Sequence, residues 1–415
     1  MKILVLDGNE NQAVAAVRSL AAAGHTVSVG AETAWSKAAW SRACANSFRY
    51  PPPDADAAAF VESVAARAAD TSGTLVLPMT ERTTLPLSAA RTTITSAGGR
   101  LVLPSHDTVL RAFDKQATTQ LAASLGVDVP RTTTIESDAG VRACQMELRY
   151  PVVLKPRSSQ ELVGGAVRTT GGPVYARTAA DLSRAWRDLS RRCESVLVQE
   201  FVEGIGTGYF ALMRHGQLRA EFAHRRIRDV RPTGSGSSLR ISLAPPPRVR
   251  QAAVKILEAL GWHGVAMVEF RVRRDGTPTF LEVNGRFWNS LALPIHAGMN
   301  FPALVAALAE NGDVPLTTSY REGVQCRWFL GDARHLVEVL RGAPPSFPGT
   351  FPRRASTLAG VLIPSAGMCH DNFAWRDPLP ELGDWLHFVL RKLPRRAGPA
   401  RAARVWHAAG RPSHP

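Results

Sequence analysis

Two strand-like runs near the middle of the chain carry the residues best suited to chemistry. Val265–Val272 and Thr279–Asn284 flank Asp275-Gly276, a dipeptide that favours a tight hairpin turn. If that dipeptide centres the turn, paired positions sum to 551, and Glu269 lies directly opposite Glu282. Side chains alternate faces along a strand, so Asn284 shares the face of Glu282, while Val268, Phe270, Val272, Leu281 and Val283 form a core face. Two carboxylates directly opposite each other repel and call for a counter-charge. A divalent cation is one solution, since magnesium takes one or two carboxylates together with phosphate and water oxygens. A surface cluster with Arg271, Arg273 or Arg286 is the other. The hairpin alone does not choose between them.

Lysine is scarce, standing at only six positions, and two of these have notable surroundings. Lys155 ends the apolar run Pro151–Leu154 and precedes a stretch containing Ser158, Ser159, Gly164 and Gly165. A strand-end lysine beside a Gly/Ser loop is placed to meet phosphate, although its order is not that of a Walker A loop. Lys115 follows Phe113-Asp114 in or at the start of a helix. Val196–Glu200 is an apolar strand running into Phe201-Val202-Glu203-Gly204, where exposed backbone could meet a nucleobase. His224, Arg225, Arg226 and Arg228, before Pro232–Ser238, are candidate phosphate or substrate contacts, or simply a solvated basic strand. His263 and His296 border apolar helices and are expected to be packed.

The elements that must position these groups follow from periodicity. Lys2–Leu6, His25–Val29, Thr74–Leu77 and Arg100–Leu103 read as strands, with Gln12–Ala23 a helix, which predicts a parallel α/β sheet. The first turn has Gly8 alone where a dinucleotide fold wants three glycines, so a βαβ domain without dinucleotide is expected. Asp107–Gly126, Ala179–Arg192, Arg248–Leu260 and Phe301–Leu308 read as helices, Tyr209–Met213 and Leu218–Phe222 as a hairpin. Pro344–Pro352 reads as an irregular loop and Asp377–Leu393 as an amphipathic helix. At 415 residues the chain needs more than one core. No apolar run approaches a membrane span, and five scattered cysteines form no disulfide framework or zinc site. The net charge of +15 comes mostly from arginine dispersed along the chain and favours polyanionic ligands without marking a nucleic-acid module.

In order, Asp114-Lys115, Leu154-Lys155-Pro156, Gln199-Glu200-Phe201-Val202, Glu269 and Glu282-x-Asn284-x-Arg286 resemble the nucleotide site of the ATP-grasp superfamily. Within it the chain is most similar to carboxylate–amine ligases and the ATP-binding halves of carbamoyl-phosphate synthases. The resemblance implies a parallel α/β pre-ATP-grasp domain over 1–104, then an ATP-grasp fold of two α+β subdomains over 105–315. A C-terminal extension over 316–393 and a basic, disordered tail over 394–415 would follow. It implies that Lys115 and Lys155 contact the phosphates of ATP. Glu200 and Val202 would frame the adenine, and Glu203 would be a ribose candidate. Glu269, Glu282 and Asn284 would hold Mg²⁺ (or Mn²⁺), with Arg286 at the γ-phosphate or the acyl-phosphate. One departure is Gly285, where proline is more usual, which predicts a looser backbone beside Asn284. The implied function is a cytoplasmic ligase joining a small-molecule carboxylate to an amine, with no nucleic-acid or membrane partner and with a homodimer allowed. The alternative is a non-catalytic or regulatory ATP-binding protein of the same fold.

Overall fold

The computed structural model describes residues 1–234, 236–363 and 367–392, so the tail over 394–415 lies outside the described residues. The first domain runs β1 (Lys2–Val5), α1 (Asn11–Ala22), β2 (Thr26–Ala31), β3 (Asn46–Arg49), α2 (Ala57–Ala69), β4 (Leu75–Leu77), α3 (Glu81–Ala89) and α4 (Arg91–Ser96). Its strands form the expected parallel sheet, in the order β3-β2-β1-β4. Ile3, Leu4 and Val5 are buried on both faces, as a central parallel strand requires. The predicted strand Arg100–Leu103 reduces to one bridge, Arg100 to Leu75. The carbonyls of Leu103 and Pro104 accept from the Arg91 guanidinium instead of a neighbouring strand.

The first turn is filled by its own side chain. Asp7 sits at φ 55°, and its carboxylate accepts from Met79 N at 3.0 Å and Thr83 Oγ1 at 2.6 Å. Burial raises the Asp7 carboxyl to about 6, against the opposing pull of the Thr83 and Met79 hydrogen bonds. A folded-state value above the unfolded one means that ionisation opposes folding. The cost is absent near pH 4 and complete above pH ~6. Asparagine tolerates the left-handed backbone and keeps an acceptor. Asp7→Asn is therefore expected to stabilise the protein by about 2 kcal/mol at pH 8 and by little at pH 4. Paired thermal melts at the two pH values check this, and equal shifts at both would refute it.

Helices α5 (His106–Phe113) and α6 (Lys115–Ser124) lead into the small subdomain: β5 (Thr132–Ile135), α7 (Asp138–Cys144), β6 (Val152–Pro156), β7 (Gln160–Val163), β8 (Ala166–Thr169), β9 (Val174–Ala176), α8 (Ala179–Leu189) and β10 (Val196–Glu200). The single helix expected over 107–126 breaks at Asp114, whose carboxylate caps α6 by accepting from Gln116 N and Ala117 N. Strands β5-β10-β6-β9 make an antiparallel sheet over a core that includes Leu154, Leu182, Trp186 and Val198. The Gly/Ser stretch after Lys155 holds a hairpin, β7–β8, turned by Gly164 and Gly165 at φ 59° and 80°.

The large subdomain comprises β11 (Ile205–Arg214), β12 (Gln217–Asp229), β13 (Ser237–Leu243), α9 (Pro247–Ala259), β14 (Gly264–Val272), β15 (Pro278–Asn284), α10 (Ala292–Ala297) and α11 (Phe301–Asn311). The remaining elements are β16 (Gln325–Arg327), α12 (Phe329–Arg341), α13 (Arg354–Leu362), β17 (Cys369–His370) and α14 (Leu379–Lys392). One sheet, β15-β14-β11-β12-β13-β16-β17, unites them, so the C-terminal extension is built onto the same sheet. One face packs α5, α6 and α9 around Trp262, Phe270 and Phe280. The other packs Phe210, Phe222, Trp288 and Phe301 against α1 of the first domain. Buried ion pairs secure the extension. Arg240 on β13 pairs with Asp371, both fully buried. Asp332 on α12 takes Arg228 at 2.6 Å and Arg327. Asp384 on α14 takes Lys37 of the first domain at 2.7 Å.

Candidate functional site

Glu269 and Glu282 are register partners on β14 and β15. They reach that pairing by two offsets that cancel. The turn is one residue longer than a two-residue hairpin, with Arg273 N donating to Thr277 O and Gly276 at φ 81°, so pairs next to it sum to 550. A β-bulge at Leu281 then restores 551 from Glu282 onward. The bulge also corrects one expectation: Leu281 lines the cavity described below, and Phe280 takes the core position in its place.

The direct counter-charge is none of the arginines expected from the sequence, although Arg286 helps hold Glu282 ionised. Arg226 on β12, the neighbour but one in the sheet, pairs with Glu269 at 2.7 Å. Arg271 instead donates to Gly204 O, and Arg273 pairs with Asp128. Arg286 donates to Asn284 Oδ1 at 3.0 Å and lies 3.7 Å from Glu81. Asn284 in turn donates to Glu282 Oε1 at 3.3 Å. The backbone beside Asn284 is confined, contrary to the looseness expected of Gly285. A Cβ there would meet Trp262 at 2.3 Å and Phe113 at 3.2 Å, so the indole lies directly on the glycine.

Lys155 on β6 faces this ladder across the gap between the subdomains, and Lys115 stands at the start of α6, which packs against β15. Lys115 Nζ donates to Ser159 Oγ at 2.8 Å, and its amide donates to Arg157 O. Burial lowers the Lys155 ammonium and Lys115 adds to that, while Glu282 and Glu269 oppose it. Burial alone would raise Glu282; Lys115 and Lys155, then Asn284 and Arg286, overcome it and hold the carboxyl below its usual range. The two lysines and two glutamates therefore form one electrostatic unit.

These groups share a cavity of about 600 Å³. Lys115, Lys155, Glu200, Phe201, Val202, Glu269 and Glu282 line it. Asn284 and Arg286 stand one side chain behind the lining, and Glu203 is exposed outside it. Of the four basic candidates before Pro232, Arg226 lines the cavity. His224 is buried against the Phe210 ring, and Arg228 is held by Asp332 and Gly360 O. His263 is packed on His215 with ring centroids 4.2 Å apart. Sequence reasoning missed Phe347, from the Pro344–Pro352 loop, whose ring meets Tyr175 edge-on at 5.2 Å beside Phe201 at the cavity wall. The signal was present as Phe347 and Phe351 set among prolines, where an unpacked loop would carry no aromatic residue.

The donor set suits a metal held jointly with a ligand. Among the described residues no group of three or more His, Cys, Asp and Glu side chains could hold an ion without help. Two facing carboxylates with an adjacent amide leave further positions to phosphate and water oxygens, as magnesium prefers.

The fold compares closely with that of an L-amino acid ligase from Bacillus licheniformis, with a TM-score of 0.59 at 18% identity, covering 75% of this chain and 74% of that one. A family model described as "ATP-grasp in the biosynthetic pathway with Ter operon" matches residues 192–331. The fold is ATP-grasp. By sequence the chain is 27% identical over 213 residues to a D-alanine–D-alanine ligase of Nitrosospira multiformis, covering 47% of this chain and 65% of that enzyme. It is 28% identical over 200 residues to the N-terminal section of a carbamoyl phosphate synthase large chain from Methanopyrus kandleri, covering 46% and 34%. The chain thus spans less than two thirds of the length of these relatives.

Proposed function

We propose that this protein is an ATP-dependent ligase that activates a small-molecule carboxylate as an acyl-phosphate and joins it to an amine or similar nucleophile. The observation that carries the reading is the convergence of Lys115, Lys155, Glu269 and Glu282 on one cavity between the subdomains. Lys115 and Lys155 would meet the phosphates. Glu269, Glu282 and Asn284 would hold one or two magnesium ions, which when bound neutralise phosphate charge. Glu200 and Val202 would frame the adenine. The amides of Glu200 and Phe201 are committed to Arg131 O and Pro151 O, so the base-facing donor we assign is the Val202 amide. Arg286 is our candidate for the γ-phosphate, with Glu203 a weaker one for the ribose.

In this reading a carboxylate oxygen attacks the γ-phosphorus and ADP leaves with the bridging oxygen. The amine lone pair then attacks the acyl carbon, and phosphate departs with the C–O bonding pair and takes up the proton that the amine nitrogen gives up. The chain supplies orientation and charge compensation, and no protein nucleophile takes part. All five cysteines are free, which fits a reducing, cytoplasmic setting. The test is ADP release measured against pairs of carboxylic acids and amines. Release that requires both partners supports the ligase; nucleotide binding with no release for any pair supports the regulatory alternative.

Phe347 belongs to this reading as the wall on the adenine side. Phe347→Ala is expected to raise the Michaelis constant for ATP about 2- to 10-fold, with kcat little changed. A fall in kcat at unchanged Michaelis constant would instead place the ring beside the acceptor.

A further inference from the structure

Helix α14 is inverted relative to an ordinary surface helix, which buries its apolar stripe and solvates its charges. Its buried residues are Pro380, Gly383 and Asp384, none with a large apolar side chain. Asp384, 4% exposed, pairs with Lys37 and accepts from Asn372 Nδ2 at 3.1 Å and Trp328 Nε1 at 2.5 Å. Glu381 is half-buried and accepts from Trp385 Nε1 at 2.8 Å. Outward it presents Leu382, Leu386, Val389 and Leu390, between 38% and 59% exposed, at the i, i+4, i+7, i+8 spacing of one helical face. Arg391 and Lys392 close the helix, both exposed, and neither acidic residue of α14 reaches the exposed face. Most large apolar side chains exposed among the described residues fall between Val337 and Leu390, and four of them share this one helix face.

Charge identifies the occupant. From Arg391 to Pro415 the sequence has seven arginines and lysines and no aspartate or glutamate. A second copy would bring the same positive segment against itself, in a chain already at +15. An anionic bilayer surface matches both halves, with the acyl boundary for the leucines and headgroups for the cations. We propose that α14, through its apolar face and the Arg391 and Lys392 that close it, docks this protein on anionic lipid membranes. No helix among the described residues is long and apolar enough to cross a membrane, so the contact is interfacial. The expectation of no membrane partner rested on the lack of a spanning run, which does not test a surface contact.

Sedimentation of the full chain with vesicles tests the proposal. It should co-sediment with phosphatidylcholine vesicles that contain phosphatidylglycerol, and not with phosphatidylcholine alone. Binding should fall steeply with added salt. The double variant Leu386→Glu/Val389→Glu should lower partitioning by about tenfold or more. Arg391→Gln and Lys392→Gln should each lower it roughly fivefold. All four side chains are exposed, so melting temperatures should stay unchanged. Absence of binding, or equal binding to both vesicle types, overturns the proposal. So does a dimer, seen by light scattering, that the double variant converts to monomer, because that assigns the face to a second copy.

Discussion

Under the proposed ligase reading, Glu282→Gln is expected to lower ligand-dependent ADP release by about 10²- to 10³-fold, the usual effect of losing one preorganised electrostatic partner of a transition state. The substitution keeps the shape and the contact with Asn284 but removes the charge shared by Lys115 and Lys155. Glu269 is already engaged by Arg226, so it cannot compensate fully. The pH behaviour separates this from a folding defect. The Glu282 carboxyl titrates below its usual value, so its contribution is complete at neutral pH and is lost only as pH falls through the folded value. The loss of activity should therefore be uniform across neutral and mildly alkaline pH. ADP release equal to that of the unaltered protein would remove Glu282 from the site and with it the metal assignment.

Asp371→Asn is expected to destabilise the protein by about 3–5 kcal/mol, measured by denaturant titration. Arg240 is fully buried on β13, and Asp371 is its ion-pair partner. Removing that charge strands a guanidinium in a region where Asp332 is already occupied by Arg228 and Arg327. Replacing both members by apolar residues, Arg240→Met with Asp371→Leu, should recover most of the loss, because no charge then remains unpaired. A double variant as unstable as Asp371→Asn would show that the pair's hydrogen bonds, and not charge balance, dominate. The same substitution bears on α14, since Asn372 follows Asp371 and bonds to Asp384 of that helix.

Local signals carried the site further than the fold around it. The Asp275-Gly276 dipeptide located the hairpin, and alternation put Glu282 and Asn284 on one face, because both depend on neighbours a few residues apart. The register came out as expected only because a longer turn and the bulge at Leu281 offset each other. Nothing near Leu281 in sequence announces that bulge. Arg226 was visible as a basic residue, but its partner Glu269 lies on a strand two places away in the sheet. Phe347 reaches Tyr175 across more than 170 residues, a contact set by how the extension wraps back. The strands β16 and β17 escaped for the same reason: each has two or three residues and exists through pairing with β13 and with each other. The helix over 107–126 was read one element too long because its capping residue, Asp114, also fits a helix interior.

The contact between Gly285 and Trp262 has a consequence for how such sites change over generations. The indole occupies the space where any side chain at 285 would begin. The two positions are therefore coupled, and Gly285 cannot be exchanged alone. A chain with proline after the strand-end asparagine should carry a smaller residue where this one has Trp262. Grafting the proline here without shrinking the tryptophan should push Asn284 off the ladder, whereas exchanging both together should leave it in place. The substitution that looks like a relaxed motif is one half of an epistatic pair.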